Sequence, residues 1–181
     1  AVQLWTMANK PFEGLQLLEK TVKTSKLSLG PSHTMTKEIL SSFGSVVYRT
    51  RKVANKWDSK KRYCPVKSYE EDCDIYVVDT KGLNGAKIDG ADIGESMGWD
   101  PADVILNRGA LVKCVDLLKA SHLNGKRAWV MEYDEATKRH EVEFEDDIKT
   151  CLVKSGNLRL LFFEDEYEQA IADYGASGSN L

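Results

Sequence analysis

The feature that most constrains this chain is a run of short apolar segments between Ser121 and Phe163, joined by turns too tight for anything but strands. Ala128 to Tyr133 is largely apolar and follows Asn124-Gly125, where glycine admits the positive φ that such turns need. From His140 the pattern has period two. His140, Val142 and Phe144 face one way and Glu141, Glu143 and Glu145 the other, the mark of a half-buried strand. Thr150–Val153 and Leu158–Phe163 follow, and Ala110–Asp116 supplies a strand before them. Strands this short must share one apolar face, so residues 110–163 are expected to close into a small β-barrel with Val130, Val142, Phe144, Leu152 and Leu158 inward.

Upstream, the spacing changes from two to between three and four. Phe12, Leu15, Leu18 and Val22 lie on one face of a helix expected over about 12–27. Leu29-Gly30-Pro31-Ser32-His33 stops it, with glycine suited to the C-cap and proline just beyond. A second helix runs to about Arg51 with Ile39, Phe43, Val46 and Val47 inward, giving an antiparallel helical hairpin. Leu4, Trp5 and Met7 suggest the tail of an earlier helix, so the chain reads as truncated or processed at its N-terminus. The expected organisation is α+β: 1–62 helical and repeat-like, 63–109 an irregular Gly-rich connector with one strand at Asp74–Asp79, 110–163 the barrel, and 164–181 an acidic helical or disordered tail.

Two resemblances sharpen this reading. Leu29, Gly30, Pro31, His33 and Thr36, with Gly14 at the small position, resemble a tetratricopeptide-type repeat of the kinesin-light-chain style; only one repeat of about 40 residues is complete. Leu123-Asn124-Gly125-Lys126, Tyr133-Asp134-Glu135, Val142-x-Phe144, Leu152-Val153-Lys154 and Asn157-Leu158-Arg159 resemble an SH3-like barrel of large algal and protist scaffold proteins. Those proteins often add helical repeats and sometimes a MYND-type zinc finger, which this sequence lacks. The resemblance implies a module that binds protein. A KOW-type nucleic-acid barrel is a poorer fit, because Arg127 stands where that pattern has a second glycine and the hairpin face is acidic.

Charge is lopsided. Residues 1–62 hold 12 Lys/Arg against 4 Asp/Glu, whereas 63–181 hold 13 against 24. The basic residues concentrate in Arg49, Arg51, Lys52, Lys56, Lys60, Lys61 and Arg62, with Trp57 among them for stacking. This stretch is the basis of an alternative function, a nucleic-acid-associated adaptor. The favoured reading is a non-catalytic protein–protein interaction or scaffold protein, an accessory subunit of a multi-subunit complex. An algal organelle is one expected setting, and the cysteine usage suits a reducing compartment. Trp129, Tyr133 and Trp99 are the candidate partner-binding aromatics. Trp129 has the opposite parity to Val130 and is expected to point out of the barrel core.

No catalytic residue, metal site or cofactor is expected. His33, His122 and His140 lack ligand spacing, and Cys64, Cys73, Cys114 and Cys151 form no Cys-x-x-Cys pair, although a Cys64–Cys73 disulfide is conceivable. The glycines at 82, 85, 90, 94 and 98 lack phosphate-loop spacing, and Asp89 and Asp92 alone do not make a calcium loop. No apolar run is long enough to span a membrane.

Overall fold

The structure, a computed structural model, describes residues 11–83, 87–88, 91–92, 94–145 and 147–178. The helical expectation for residues 1–8 and most of the 84–93 loop lie outside them. The chain divides into two compact units: residues up to Arg49 with 162–181, and Thr50–Leu161.

In the first unit α1 spans Pro11–Leu29 and α2 Thr34–Thr50, where residue 50 already belongs to the second unit. Gly30 ends α1 at φ +89, its N–H donating to the Lys26 carbonyl, a backbone shape that costs any other residue energy. His33 starts α2 by accepting the Met35 N–H at Nδ1 over 3.2 Å, a turn role. Leu15, Leu18 and Val22 are buried, as are Phe43, Val46 and Val47, so helical periodicity located both inward faces.

The tail is more ordered than "helical or disordered" implied. Asp165–Gly178 forms α3, and Phe43 meets Phe163 and Tyr167 edge-on at 5.1 and 5.0 Å between ring centroids. The close approach of α2 and α3 depends on Gly44. A Cβ there would stand 2.5 Å from the Ala170 carbonyl oxygen and 3.0 Å from the Ile171 nitrogen. Helix propensity alone favours alanine by about 1 kcal/mol. Against rigid backbone, Gly44→Ala is nonetheless expected to destabilise this unit by about 1–3 kcal/mol. Chemical denaturation followed by hydrogen exchange at α3 measures it; a more stable variant would mean that the helices adjust freely.

The second unit corrects two expectations. Residues 63–109 are not an irregular connector. With β1 (Lys52–Asn55) they build a five-stranded antiparallel sheet from β2 (Cys64–Glu70), β3 (Ile75–Asp79), β6 (Ser96–Trp99) and β7 (Val104–Leu106), in the order β6-β3-β2-β1-β7. The short strands β4 (Lys87–Ile88) and β5 (Ala91–Asp92) pair with each other. Alternation is hidden here because β1, β6 and β7 have only three or four residues and a bulge between Val66 and Ser68 interrupts that of β2. Val53, Val66, Tyr76, Val78, Val104 and Leu106 nevertheless form a buried set.

The second sheet holds β8 (Leu111–Cys114), β9 (Arg127–Asp134), β10 (Arg139–Phe144), β11 (Asp147–Val153) and β12 (Leu158–Leu160), in the order β11-β10-β9-β8-β12. Among the described residues no hydrogen-bonded pairing joins β11 to β12, so the expected closed barrel is an open five-stranded sheet. His140, Val142 and Phe144 are buried as alternation required. Leu152, expected inward, is 46 % exposed, and Val153 is buried in its place. Leu152 pairs with Glu141 on the outward face of β10, whereas Val153 pairs with the buried His140, and residues paired across antiparallel strands share a face.

Local turn chemistry follows the sequence closely. Gly125 adopts φ +81, and Asn157 donates from Nδ2 to the carbonyls of Val115 and Asp116 at 3.0 and 3.1 Å. Pro101–Asp103 is a short 3₁₀ turn capped by Asp100, whose carboxylate accepts the Ala102 N–H. A matching 3₁₀ turn, Ser155–Asn157, precedes β12. All four cysteines are free, so the conceivable Cys64–Cys73 bridge is not formed.

Candidate binding cleft

The three aromatic candidates are separated by burial. Trp129 is 1 % exposed and Trp99 4 % exposed, which removes both from any partner-facing surface. Trp129 takes the opposite face of β9 from Val130, pairing with Glu143 where Val130 pairs with Val142. Ala128, Trp129 and Val130 are all buried, however, so β9 is covered on both faces there. Sequence parity tells which face a residue takes, not whether that face meets water. Tyr133 stays half-buried near the end of β9.

Tyr133 lies in a cleft of about 290 Å³ within the second unit. One wall is Met131, Glu132 and Tyr133 of β9; another is the end of β7 and the turn after it, Ile105 to Arg108. The mouth carries Lys61 and Tyr63, the latter 42 % exposed. Nothing in sequence spacing joins these segments, and Tyr63 was not singled out by it. Behind the cleft, the Tyr133 ring rests on the His140 ring with centroids 4.9 Å apart. His140 Nε2 in turn accepts the Leu106 N–H at 2.9 Å. Burial, then the nearby Lys56 charge, lowers the His140 pKa to about 3, so the ring is neutral at ordinary pH.

Ser155 Oγ sits 3.5 Å from His140 Nδ1. This pair is not a hydrolytic arrangement. Both residues are buried, and Nε2 is occupied by the backbone, so Nδ1 carries the proton and could not withdraw one from the serine. Among the described residues no group of three or more His, Cys, Asp or Glu could hold a metal ion.

The basic stretch does not form one free surface. Arg51 is 4 % exposed, its guanidinium donating to the Leu161 carbonyl at 2.9 Å. Arg49 belongs to the first unit, where it donates to the Tyr174 hydroxyl. Lys56 donates to the Ala102 carbonyl, and Lys52 is half-buried in β1. Asp58, 4 % exposed, ties the 55–62 turn by accepting from the Lys60 and Arg62 amides and the Arg62 guanidinium. The Arg62 hydrogen bond holds the Asp58 carboxyl well below its usual range, at about 2. Lys61 pairs with Glu135, leaving Lys60 and the 66 % exposed Trp57 toward solvent. Basic residues adjacent in sequence thus point to different neighbours.

No helix among the described residues is long and apolar enough to cross a membrane. No protein-family model matches the chain, and no curated protein matches it.

Proposed function

We propose that the chain is a non-catalytic protein-interaction unit, an accessory or linker subunit of a larger assembly, that receives a partner segment in the Tyr133 cleft. The cleft carries this reading. It has a floor of paired strands, a tyrosine buttressed from below by a buried histidine, and a second tyrosine open at the mouth. Aromatic-lined grooves on small β modules suit extended peptides, whose backbones need little distortion to lie along them. The five-strand order with a 3₁₀ turn before the last strand supports an SH3-like module, and it occurs in both sheets. The Gly30 cap and His33 turn support a tetratricopeptide-type hairpin in the first unit.

The test is to pan a random-peptide display library against the intact chain and against Tyr133→Ala. The wild type is expected to enrich a shared motif whose affinity falls about ten-fold or more in the variant. Thermal unfolding of the variant should change little, because the ring is only partly buried. Equal binding by both proteins, or no enrichment, would remove the cleft as the interaction site.

A further inference from the structure

The two sheets of the second unit are copies of one arrangement, and the difference that opens the cleft lies on their fifth strands. In β2–β3, Val66 pairs with Val78, Ser68 with Val77 and Tyr69 with Tyr76; in β9–β10, Val130 pairs with Val142, Glu132 with Glu141 and Tyr133 with His140. Every position lies 64 residues from its counterpart, including the skipped residue of the bulge. The turns agree as well, with positive φ at Asp74 and Lys138 and at Lys61 and Gly125. The copies also brace each other reciprocally. Tyr76 Oη accepts the Leu160 N–H at 2.9 Å, as His140 Nε2 accepts that of Leu106, each the last residue of the other sheet's fifth strand. Tyr69 leans on Tyr76 at the same 52° interplanar angle as Tyr133 on His140.

At Tyr69 this arrangement holds a cation permanently. The Arg159 guanidinium lies 6.0 Å from the Tyr69 ring centre, and it donates to the Tyr69 hydroxyl, the Asp74 carboxylate and the carbonyls of Gly156 and Leu158. It is 12 % exposed. The strand registers make Ile105 the counterpart of Arg159: Ile105 pairs with Ala54 and Arg159 with Lys113, one residue before Leu106 and Leu160. An aliphatic side chain therefore stands where a guanidinium would fill the place beside Tyr133, and that is the cleft. A cation still reaches the ring. Lys61, at the position that is Gly125 in the other copy, brings its ammonium 5.8 Å from the Tyr133 centre and pairs with Glu135. Its side chain is 40 % exposed and comes from a surface turn.

Resting on the interaction reading above, we infer that the Tyr133 cleft takes an arginine side chain of a partner protein, in the place that Arg159 fills in the other copy, with Lys61 displaced to solvent. The chemistry is matched. A planar guanidinium stacks on the tyrosine and bridges to carboxylate in the way an ammonium cannot; with Lys138 standing where the other copy has Asp74, the acid comes instead from Glu132 and from Glu135, which Lys138 also holds at 2.7 Å. Lys61 holds the site through one carboxylate at the surface, a pairing that exchanges at little cost.

The experiment titrates the isotope-labelled full chain with N-acetyl-Gly-Arg-Gly-amide, and with the lysine and glutamine analogues, following backbone amide shifts. Saturable shifts at Tyr63, Asn107 and Met131–Glu135 with the arginine peptide are expected. They should be several-fold tighter in Lys61→Ser and absent with the glutamine peptide. No saturable shift in either protein, or equal binding of the lysine peptide, overturns the assignment. Display-selected peptides without arginine that shift these same amides would leave the interaction reading standing while the arginine assignment fails. If neither kind of peptide moves them, both fail.

Discussion

Trp129→Ala is expected to destabilise the second unit by about 3–5 kcal/mol, a large share of the about 5–15 kcal/mol that separates a domain from its unfolded state. The residue is 1 % exposed in the middle of β9, paired with Leu111 on one side and Glu143 on the other. Removing the indole deletes a large apolar volume on one face of β9, and the adjacent Ala128 and Val130, which point to the other face, cannot refill it. Urea denaturation of the intact chain measures the loss. An unfolding midpoint close to that of the wild type would show that Trp129 has little structural role, and would return it to the list of partner-facing aromatics. Tyr133→Ala is the contrasting substitution, at the other end of the same strand, where loss of binding should outweigh loss of stability.

The second large effect is acid sensitivity centred on His140. Its folded-state pKa, about 3, lies below the ordinary 6.5, because the ring is buried and faces Lys56. Between those values the unfolded chain binds a proton that the native chain refuses, so stability falls as the pH is lowered through this window. The slope is about 1.4 kcal/mol per pH unit, or about 2 kcal/mol lost by pH 5. Above pH 6.5 the ring is neutral in both states and the contribution is flat. Asp58 acts in a different window, since its depressed pKa adds stability that is lost only as the pH falls below the usual carboxylate range toward 2.

His140→Gln separates these effects. The amide oxygen can still accept the Leu106 N–H, so the variant should fold, while the decline between pH 6.5 and 4 should largely vanish. Equal slopes for the two proteins, measured by denaturant midpoints across pH, would assign the acid limb to other groups. Full loss of the acceptor, as in His140→Ala, leaves a buried N–H unpaired and adds about 1–3 kcal/mol at neutral pH.

Several features were determined by the sequence itself. Period-two alternation placed His140, Val142 and Phe144 inward, helical spacing placed Phe43 and Val46 inward, and Gly30, Gly125 and Asn157 took the turn roles their chemistry dictates. These are local properties: φ preferences, capping and facing are fixed within a few residues. What lay beyond the sequence depends on segments far apart along it. Of the first sheet only β3 is legible: β1, β6 and β7 carry three or four residues each, a bulge at Lys67 interrupts the alternation of β2, and only pairing makes them one surface. Burial of Trp129 and exposure of Leu152 are equally illegible, since one depends on both faces of β9 being covered and the other on Leu152 pairing with the outward Glu141.

The cleft belongs wholly to the tertiary structure. Lys61, Ile105 and Tyr133 meet because two copies of one sheet brace each other through Tyr76 and His140. The exchange of an arginine for an isoleucine has meaning only once the strand registers show which residues correspond. Sequence sets what each segment prefers; the positions of groups in space come from pairings whose energy is gained only when distant segments meet.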